Sequence, residues 1–457
     1  MTLPRCLVVL SLCTYLFCFT CSVRSLAEDK QAKSGDVRES EVPQSIFRYV
    51  ERPEPDYQWK KVSEQTTDAG RLILLQVTSQ KWHDIVWKHS VEVYVPPKVQ
   101  HPGHALLFVN GGSSIKPPRE GDLELGLKLA SACGAPVIML RQVPNQPLFD
   151  GRKEDDLITE TWLRYLESGD DTWPLLFPMV KSAVKTMDAV GELSEQELGQ
   201  KIDRFVITGA SKRGWTSWLT PVADSRVIAT APIVIDVLNF RAQMTHQLES
   251  WGKFSEQIID YTSKGLVKRP DETETPREVA LREMMDPWTY RERVQIPKLL
   301  IVGTNDPYWC VDAMNIYWDD LVGPKYIRQV PNAGHGLEGG KDDALKTLAV
   351  FFRHAAAGKP LPQITWSSDS TDGRLSLSVE SPSGASRVVF WKAVSDDLDF
   401  RDDKWQADEV NLPEIRTNLK LKQTVSHGEG KHLAIFAEVG FEFEGIQWSQ
   451  TTLVYRQ

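Results

Sequence analysis

From residue 46 to 354 the chain alternates short apolar runs with longer amphipathic stretches. The short runs are 72–77, 91–95, 105–109, 137–140, 205–208, 229–235, 298–302 and 325–330. Brief apolar runs rich in β-branched residues, without polar alternation, mark strands covered on both faces. The longer stretches, 121–132, 159–167, 175–190, 214–223 and 308–318, repeat apolar residues at helical spacing. Strand–helix–strand alternation predicts an α/β fold with a mostly parallel sheet. Residues 341–357 read as the closing helix, with Gly358-Lys359-Pro360 as its stop signal.

Beyond residue 362 the pattern changes. Short alternating runs at 364–366, 375–379, 387–391, 419–424, 432–438 and 452–455 are separated by Ser, Asp and Gly turns. They predict a small C-terminal all-β, sandwich-like domain over 361–457, after an α/β domain over 46–360. Within the latter, 241–293 is polar and helix-prone between two sheet strands. It is expected to cap the site as a lid.

The first 27 residues belong to neither domain. Arg5 precedes an apolar run that ends at Phe19, and Ser25-Leu26-Ala27 stands just before the charged Glu28-Asp29-Lys30. A basic start, a short apolar centre and a small-x-small site read as a cleaved secretory signal; an uncleaved anchor is the weaker alternative. Polar 28–45 reads as a linker. Export to a secreted, periplasmic or envelope location follows, with no stable membrane insertion once the signal is removed. Four of the six cysteines leave with this segment, and the remaining Cys133 and Cys310 are either one disulfide or two buried thiols.

Composition narrows the function. The 457 residues carry a net charge of −9, with 41% hydrophobic and 25% charged residues, and no basic stripe. Such a chain is globular and unsuited to nucleic acid. His101-x-x-His104 lacks the glutamate and the i,i+4 spacing of a zinc site, and no CxxC occurs. Neither a metal nor a cofactor is expected.

The sharpest chemical signal is 205–215, FVITGASKRGW, a buried strand that runs through Gly209-Ala210-Ser211 straight into a helix. A nucleophile elbow has this form, with the serine hydroxyl exposed at the helix start. The second glycine, Gly214, comes one place late, and Arg213 stands in its usual position. A serine needs a base, and the base an orienting acid. Asp306 ends the strand 298–302 in a polar turn, and His335 follows the strand 325–330 between two glycines. The order Ser211, Asp306, His335 at successive strand ends is the α/β-hydrolase order. Asp236, after the strand 229–235, is the second choice of acid. The oxyanion donors are expected from the Lys212 N–H and from the loop Asn110-Gly111-Gly112, whose glycines permit close backbone approach.

Rival readings are weaker. Ser113-x-x-Lys116 is followed by two prolines, which forbid the helix that brings Lys over Ser, and Ser182-x-x-Lys185 lies mid-helix without a Lys-Thr-Gly partner. Eight of the fifteen tryptophans fall between Trp162 and Trp318. Most read as core; beside Ser211 and Asp306 they also suit an aromatic substrate pocket.

Four blocks carry a family resemblance: 209–215 (GASKRGW), 173–182 (WPLLFPMVKS), 231–239 (APIVIDVLN) and 303–309 (GTNDPYW). Together they resemble the PhoPQ-activated pathogenicity-related proteins, over nearly the whole chain after the signal. The resemblance implies an α/β-hydrolase fold, with the family's serine, aspartate and histidine falling on Ser211, Asp306 and His335. It also implies secretion or association with the envelope, and the family's link to antimicrobial-peptide resistance points toward peptides. Two functions stand in competition. One is a secreted serine hydrolase, peptidase or esterase, taking a peptide or small ester. The other is a catalytically silent binding or signalling protein on the same scaffold. The domain 361–457 either binds a protein or glycan partner or covers the hydrolase domain, and the residues leave both open.

Overall fold

A computed structural model describes residues 42–113, 118–371, 373–412, 418–426, 428 and 430–457. The expected signal, 1–27, and the expected linker up to 41 lie outside the described residues. In chain order the α/β part runs α1 (Ser45–Glu51), β1 (Gln58–Thr67), β2 (Gly70–Trp82), β3 (Ile85–Val95), β4 (His104–Val109), α2 (Glu120–Cys133), β5 (Val137–Leu140), α3 (Glu154–Ser168), α4 (Leu176–Glu197), β6 (Arg204–Ala210), α5 (Lys212–Ala223), β7 (Val227–Ile233), α6 (Phe240–Trp251), α7 (Ile259–Thr262), α8 (Pro276–Met285), β8 (Lys298–Gly303), β9 (Lys325–Val330) and α9 (Lys341–Ala356). These strands form one sheet in the order β1-β2-β3-β5-β4-β6-β7-β8-β9. From β5 through β9 all neighbours are parallel, while β1, β2 and β3 pair antiparallel. An antiparallel edge leading into parallel strands, with β4 and β5 exchanged and an elbow after β6, is the α/β-hydrolase fold.

Successive residues of the central strands enter two different cores. Leu107, Ile207 and Leu300 face one, and Leu106, Val206 and Leu299 the other. Side chains of a strand alternate between faces, so a sheet covered on both sides needs apolar residues at every position. The unbroken apolar runs of the sequence have this cause. β1 escapes that signal because nearly all of it is exposed. It is held by pairing with β2 and by polar links to α4, among them Trp59 Nε1 to Glu192 (2.7 Å) and Lys61 to Glu197 (2.8 Å).

The helix expected over 308–318 does not form. The segment is a series of turns with one 3-10 stretch, Ala313–Ile316. Two of its carbonyls meet side chains of α6 instead: the Tyr308 carbonyl accepts from Gln247 Nε2 (2.9 Å) and the Ala313 carbonyl from Gln243 Nε2 (3.3 Å). A helix would require those acceptors for its own ladder.

The C-terminal region contains β10 (Thr365–Thr371), β11 (Arg374–Ser381), β12 (Ala385–Ser395), β13 (Gln406–Glu409), β14 (Leu419–Ser426), β15 (His432–Phe443), β16 (Ile446–Thr451) and β17 (Tyr455–Arg456). One antiparallel sheet has the order β10-β11-β14, and the other β13-β12-β15-β16 with β17 on β15. Leu377 and Val379 from the first sheet and Phe390 and Ile435 from the second share a core with Leu348 and Phe351 of α9. β16 also shields the edge strand β9, where the Gln329 N–H donates to Thr451 Oγ1 (3.0 Å). Residues 42–457 form one compact unit.

Candidate active site

Ser211 stands between β6 and α5 with φ 58° and ψ −125°, a strained conformation for a non-glycine residue. Its own N–H is fixed by the Ile233 carbonyl of β7 (2.9 Å). The turn is tight enough to need glycine on both sides. A Cβ on Gly209 would lie 2.6 Å from the Arg213 carbonyl oxygen, and one on Gly214 would lie 2.6 Å from Ile235 Cγ2. The late glycine therefore lets the first turn of α5 settle on the end of β7. Arg213, in the usual place of that glycine, turns away from the serine. Its Nε donates to the Val143 carbonyl (2.6 Å) and its Nη atoms grip both Glu154 oxygens (2.6 and 2.8 Å). Burial works against the Glu154 charge, but this guanidinium outweighs it and lowers the carboxyl pKa to about 2.

The same guanidinium supports the glycine loop after β4. A Cβ on Gly111 would lie 2.4 Å from Arg213 Nη2, so a side chain there would have to push the guanidinium aside. Gln142 N–H donates to the Gly111 carbonyl and Val143 N–H to the Asn110 carbonyl (both 3.0 Å), pinning the loop to the strand end of β5. Gly112 has φ 114°, which favours glycine. The Lys212 N–H opens α5, where first-turn donors have no intrahelical acceptor. Of the discounted pairs, Lys116 lies outside the described residues. Ser182 is buried in α4 with its hydroxyl on the Pro178 carbonyl (2.8 Å).

Asp306, after β8, is 4% exposed. Its Oδ1 accepts the Tyr308 N–H (3.0 Å) and its Oδ2 the Nδ1–H of His335 (2.8 Å), which follows β9. A carboxylate on Nδ1 leaves the lone pair on Nε2. That nitrogen is buried and carries no hydrogen bond. His335 packs against the Tyr308 ring, with centroids 4.4 Å apart, and lines the same cavity as Ser211. No hydrogen bond joins Ser211 Oγ to His335 Nε2 in this structure. Asp236 takes no part in the pair. It is sealed behind β7, where Tyr317 OH donates to it (2.5 Å) and burial raises its pKa to about 7.

The cavity holds about 1100 Å³ of empty space, part of it open to solvent, between α3, α5 and the helical segment α6–α8. Trp162, Trp215 and Trp309, from the group noted in the sequence, line it. At its inner end Lys212 Nζ pairs with Asp155 Oδ2 (2.7 Å), and Tyr261 OH donates to Asp155 Oδ1 (3.0 Å). Burial disfavours the Lys212 charge, yet Asp155 outweighs it and holds the ammonium pKa above its ordinary value.

Residues that sequence reasoning passed over hold the acid and base loops. Asn305 Nδ2 donates to the Arg401 and Asp403 carbonyls (3.1 and 2.8 Å) of the C-terminal region. Asn332 makes two bonds with the Trp405 backbone, and Arg401 reaches the Pro307 carbonyl (3.3 Å). Arg456 links Asp312 (2.7 Å) to Ser250 of α6 (2.5 Å). The only hint in the sequence is an asparagine just ahead of Asp306 and another three places ahead of His335. Cys133 and Cys310 are both buried and unpaired.

Residues 46–401 match the PhoPQ-activated pathogenicity-related protein family. Autocrine proliferation repressor protein A of Dictyostelium discoideum is 35% identical over 377 residues, which is 78% of this chain and 74% of that protein. Two solved structures are similar at lower identity. Acetyl xylan esterase 1 from Thermoanaerobacterium sp. JW/SL YS485 is 17% identical, with a TM-score of 0.47 over 68% of this chain and 94% of its own. The acetyl xylan esterase from Paenibacillus sp. R4 is 15% identical, with a TM-score of 0.46 over 67% of this chain and 92% of its own. The four sequence blocks, the elbow and the family match over most of the chain lead to one assignment: the chain belongs to the PhoPQ-activated pathogenicity-related protein family.

Proposed function

We propose that the protein is an exported serine hydrolase that cleaves an ester or amide through an acyl-enzyme. One observation carries this reading. The Asp306–His335 pair leaves a buried, unpartnered Nε2 in the cavity that Ser211 also lines. In the reaction Ser211 Oγ attacks the carbonyl carbon while His335 Nε2 takes its proton, and Asp306 keeps the ring in the working tautomer. The tetrahedral oxyanion is met by the N–H groups of Lys212 and the Gly111–Gly112 loop. His335 then protonates the leaving group. Water, activated by the same nitrogen, releases the acid and restores the serine. The signal-like pattern of residues 1–27 supports export as the working location.

A bulky Arg213 crowding the nucleophile would favour the silent scaffold, but that side chain is engaged with Val143 and Glu154 instead. The test is labelling with a fluorophosphonate probe. The folded wild-type chain is expected to label, and both Ser211→Ala and heat-denatured protein to stay unlabelled. Absence of labelling in well-folded wild-type protein sinks the hydrolase reading.

A further inference from the structure

The cavity beside Ser211 is long, apolar and closed to unpaired charge. Its length can be read on α3, where Asp155, Trp162 and Leu166 all line it. These are positions i, i+7 and i+11, one face of a helix. At 1.5 Å per residue they span roughly 16 Å. Asp155 marks the Ser211 end through its pair with Lys212, and Leu166 the far end. The walls between are aromatic and interlocked: Trp162 meets Trp215 and Tyr261 edge-on (centroids 5.9 and 5.3 Å), and Trp215 meets Phe240 (5.3 Å). Leu281 and Val267 also line the cavity.

The charges around this space are mutually satisfied. Besides the Lys212–Asp155 pair, Arg241 and Arg282 hold Glu274 (3.2 and 2.9 Å), and Lys268 holds Glu278 (3.0 Å). A charged substrate group entering here would have to break one of these pairs. An extended peptide fits poorly for a different reason. It brings a donor and an acceptor at every residue, and each one left unmet in an apolar cavity is penalised. Gln243 does not relieve this, because its buried Nε2 already donates to the Leu238 and Ala313 carbonyls (3.2 and 3.3 Å). Trp162 and Trp309 bury indole N–H groups without partners, which supply donors but no acceptors.

We propose that this cavity takes a long, unbranched acyl chain, so that the substrate is a medium- or long-chain acyl ester. The assignment rests on the serine-hydrolase reading. The chain is placed on the acyl side because Lys212 and Trp215, at i+1 and i+4 from Ser211 on α5, both line the cavity. They flank the group that becomes bonded to Oγ, while the alcohol departs past His335, whose side chain is 28% exposed. The new Oγ–acyl bond forms as the ester C–O bond breaks, the serine proton passes through His335 Nε2 to the departing alcohol, and water then yields the free fatty acid.

The test measures kcat/KM of the full chain on p-nitrophenyl esters from acetate to laurate, beside a series of alkyl acetates. Expected is a rise of about fourfold per added methylene on the acyl side until the cavity is filled. Leu281→Trp, which fills part of the cavity, should move the optimum to shorter chains. Turnover that is best with acetate overturns the proposal and leaves the hydrolase reading intact. A rise confined to the alkyl acetates overturns the acyl-side placement. If no ester turns over and no fluorophosphonate labels Ser211, the hydrolase reading falls and the acyl-ester proposal falls with it. A separate titration of Ser211→Ala with laurate, read by tryptophan fluorescence against an acetate control, then tests the cavity alone. Saturable laurate binding supports a chain-binding cavity, and its absence overturns that as well.

Discussion

Asp236 and Asp306 sit at the ends of neighbouring strands, yet only Asp306 reaches the histidine. The difference lies in what surrounds each carboxyl. Asp306 receives the Tyr308 N–H and His335 Nδ1, whereas Asp236 is sealed away from water with the Tyr317 hydroxyl as its partner. Burial raises the Asp236 pKa to about 7, against a usual carboxyl near ~3.9. A carboxyl whose folded pKa stands above its unfolded one holds its proton more tightly in the folded state. The stability it contributes is thus fully present below about pH 4 and is lost as the pH climbs through about 7. Asp236→Asn keeps an acceptor for Tyr317 and removes the titration. Its melting temperature, measured against wild type, should therefore gain steadily between about pH 4 and pH 7 and level off above that. A difference that stays flat over that range would show that Asp236 does not titrate there.

At the scale of elements, the loops that carry Asp306 and His335 are fastened from outside the α/β sheet. The segment around residues 400–405 accepts from Asn305 and pairs with Asn332, and Arg401 also stacks on Trp251 of α6 at 3.8 Å. One short stretch thereby braces the acid loop, the base loop and the helical cover. Removing the Asn305 amide leaves half-buried carbonyls to find a donor in solvent, a change that costs about 1 kcal/mol. Asn305→Ala should fold, melt somewhat lower, and label with fluorophosphonate about tenfold more slowly as Asp306 loosens. A wild-type labelling rate in a folded Asn305→Ala would mean that the β region only covers the sheet.

At the scale of the whole molecule, the two β layers and the α/β sheet share one core. Arg328 of β9 and Glu438 of β15 form an ion pair across the join (3.1 Å), with side chains only 4% and 8% exposed. Glu438 also accepts from Trp391 Nε1 and Ser449 Oγ (both 2.8 Å). Truncating one partner of such a pair strands a buried charge, at about 3–5 kcal/mol. Glu438→Ala should thus destabilise the α/β part and the β part together, as a single shifted transition in calorimetry. Two separable transitions, with only one of them moved, would show that the parts fold independently.

The residue pattern alone determined which strands are covered on both faces, because such a sheet demands apolar residues at every position, as at 105–109 and 298–302. It also determined the elbow, since glycines at 209 and 214 around Ser211 are a local steric requirement. β1 left no such trace, being a polar strand held by pairing and by α4. The stretch 308–318 misled because its apolar spacing suits a helix while its carbonyls serve partners far away in the chain. Which acid meets His335, where Arg213 points, and what fastens the Asp306 and His335 loops were decided only by tertiary structure. Each depends on groups that sequence places tens to hundreds of residues apart, and hydrogen bonds over such separations leave no periodicity behind.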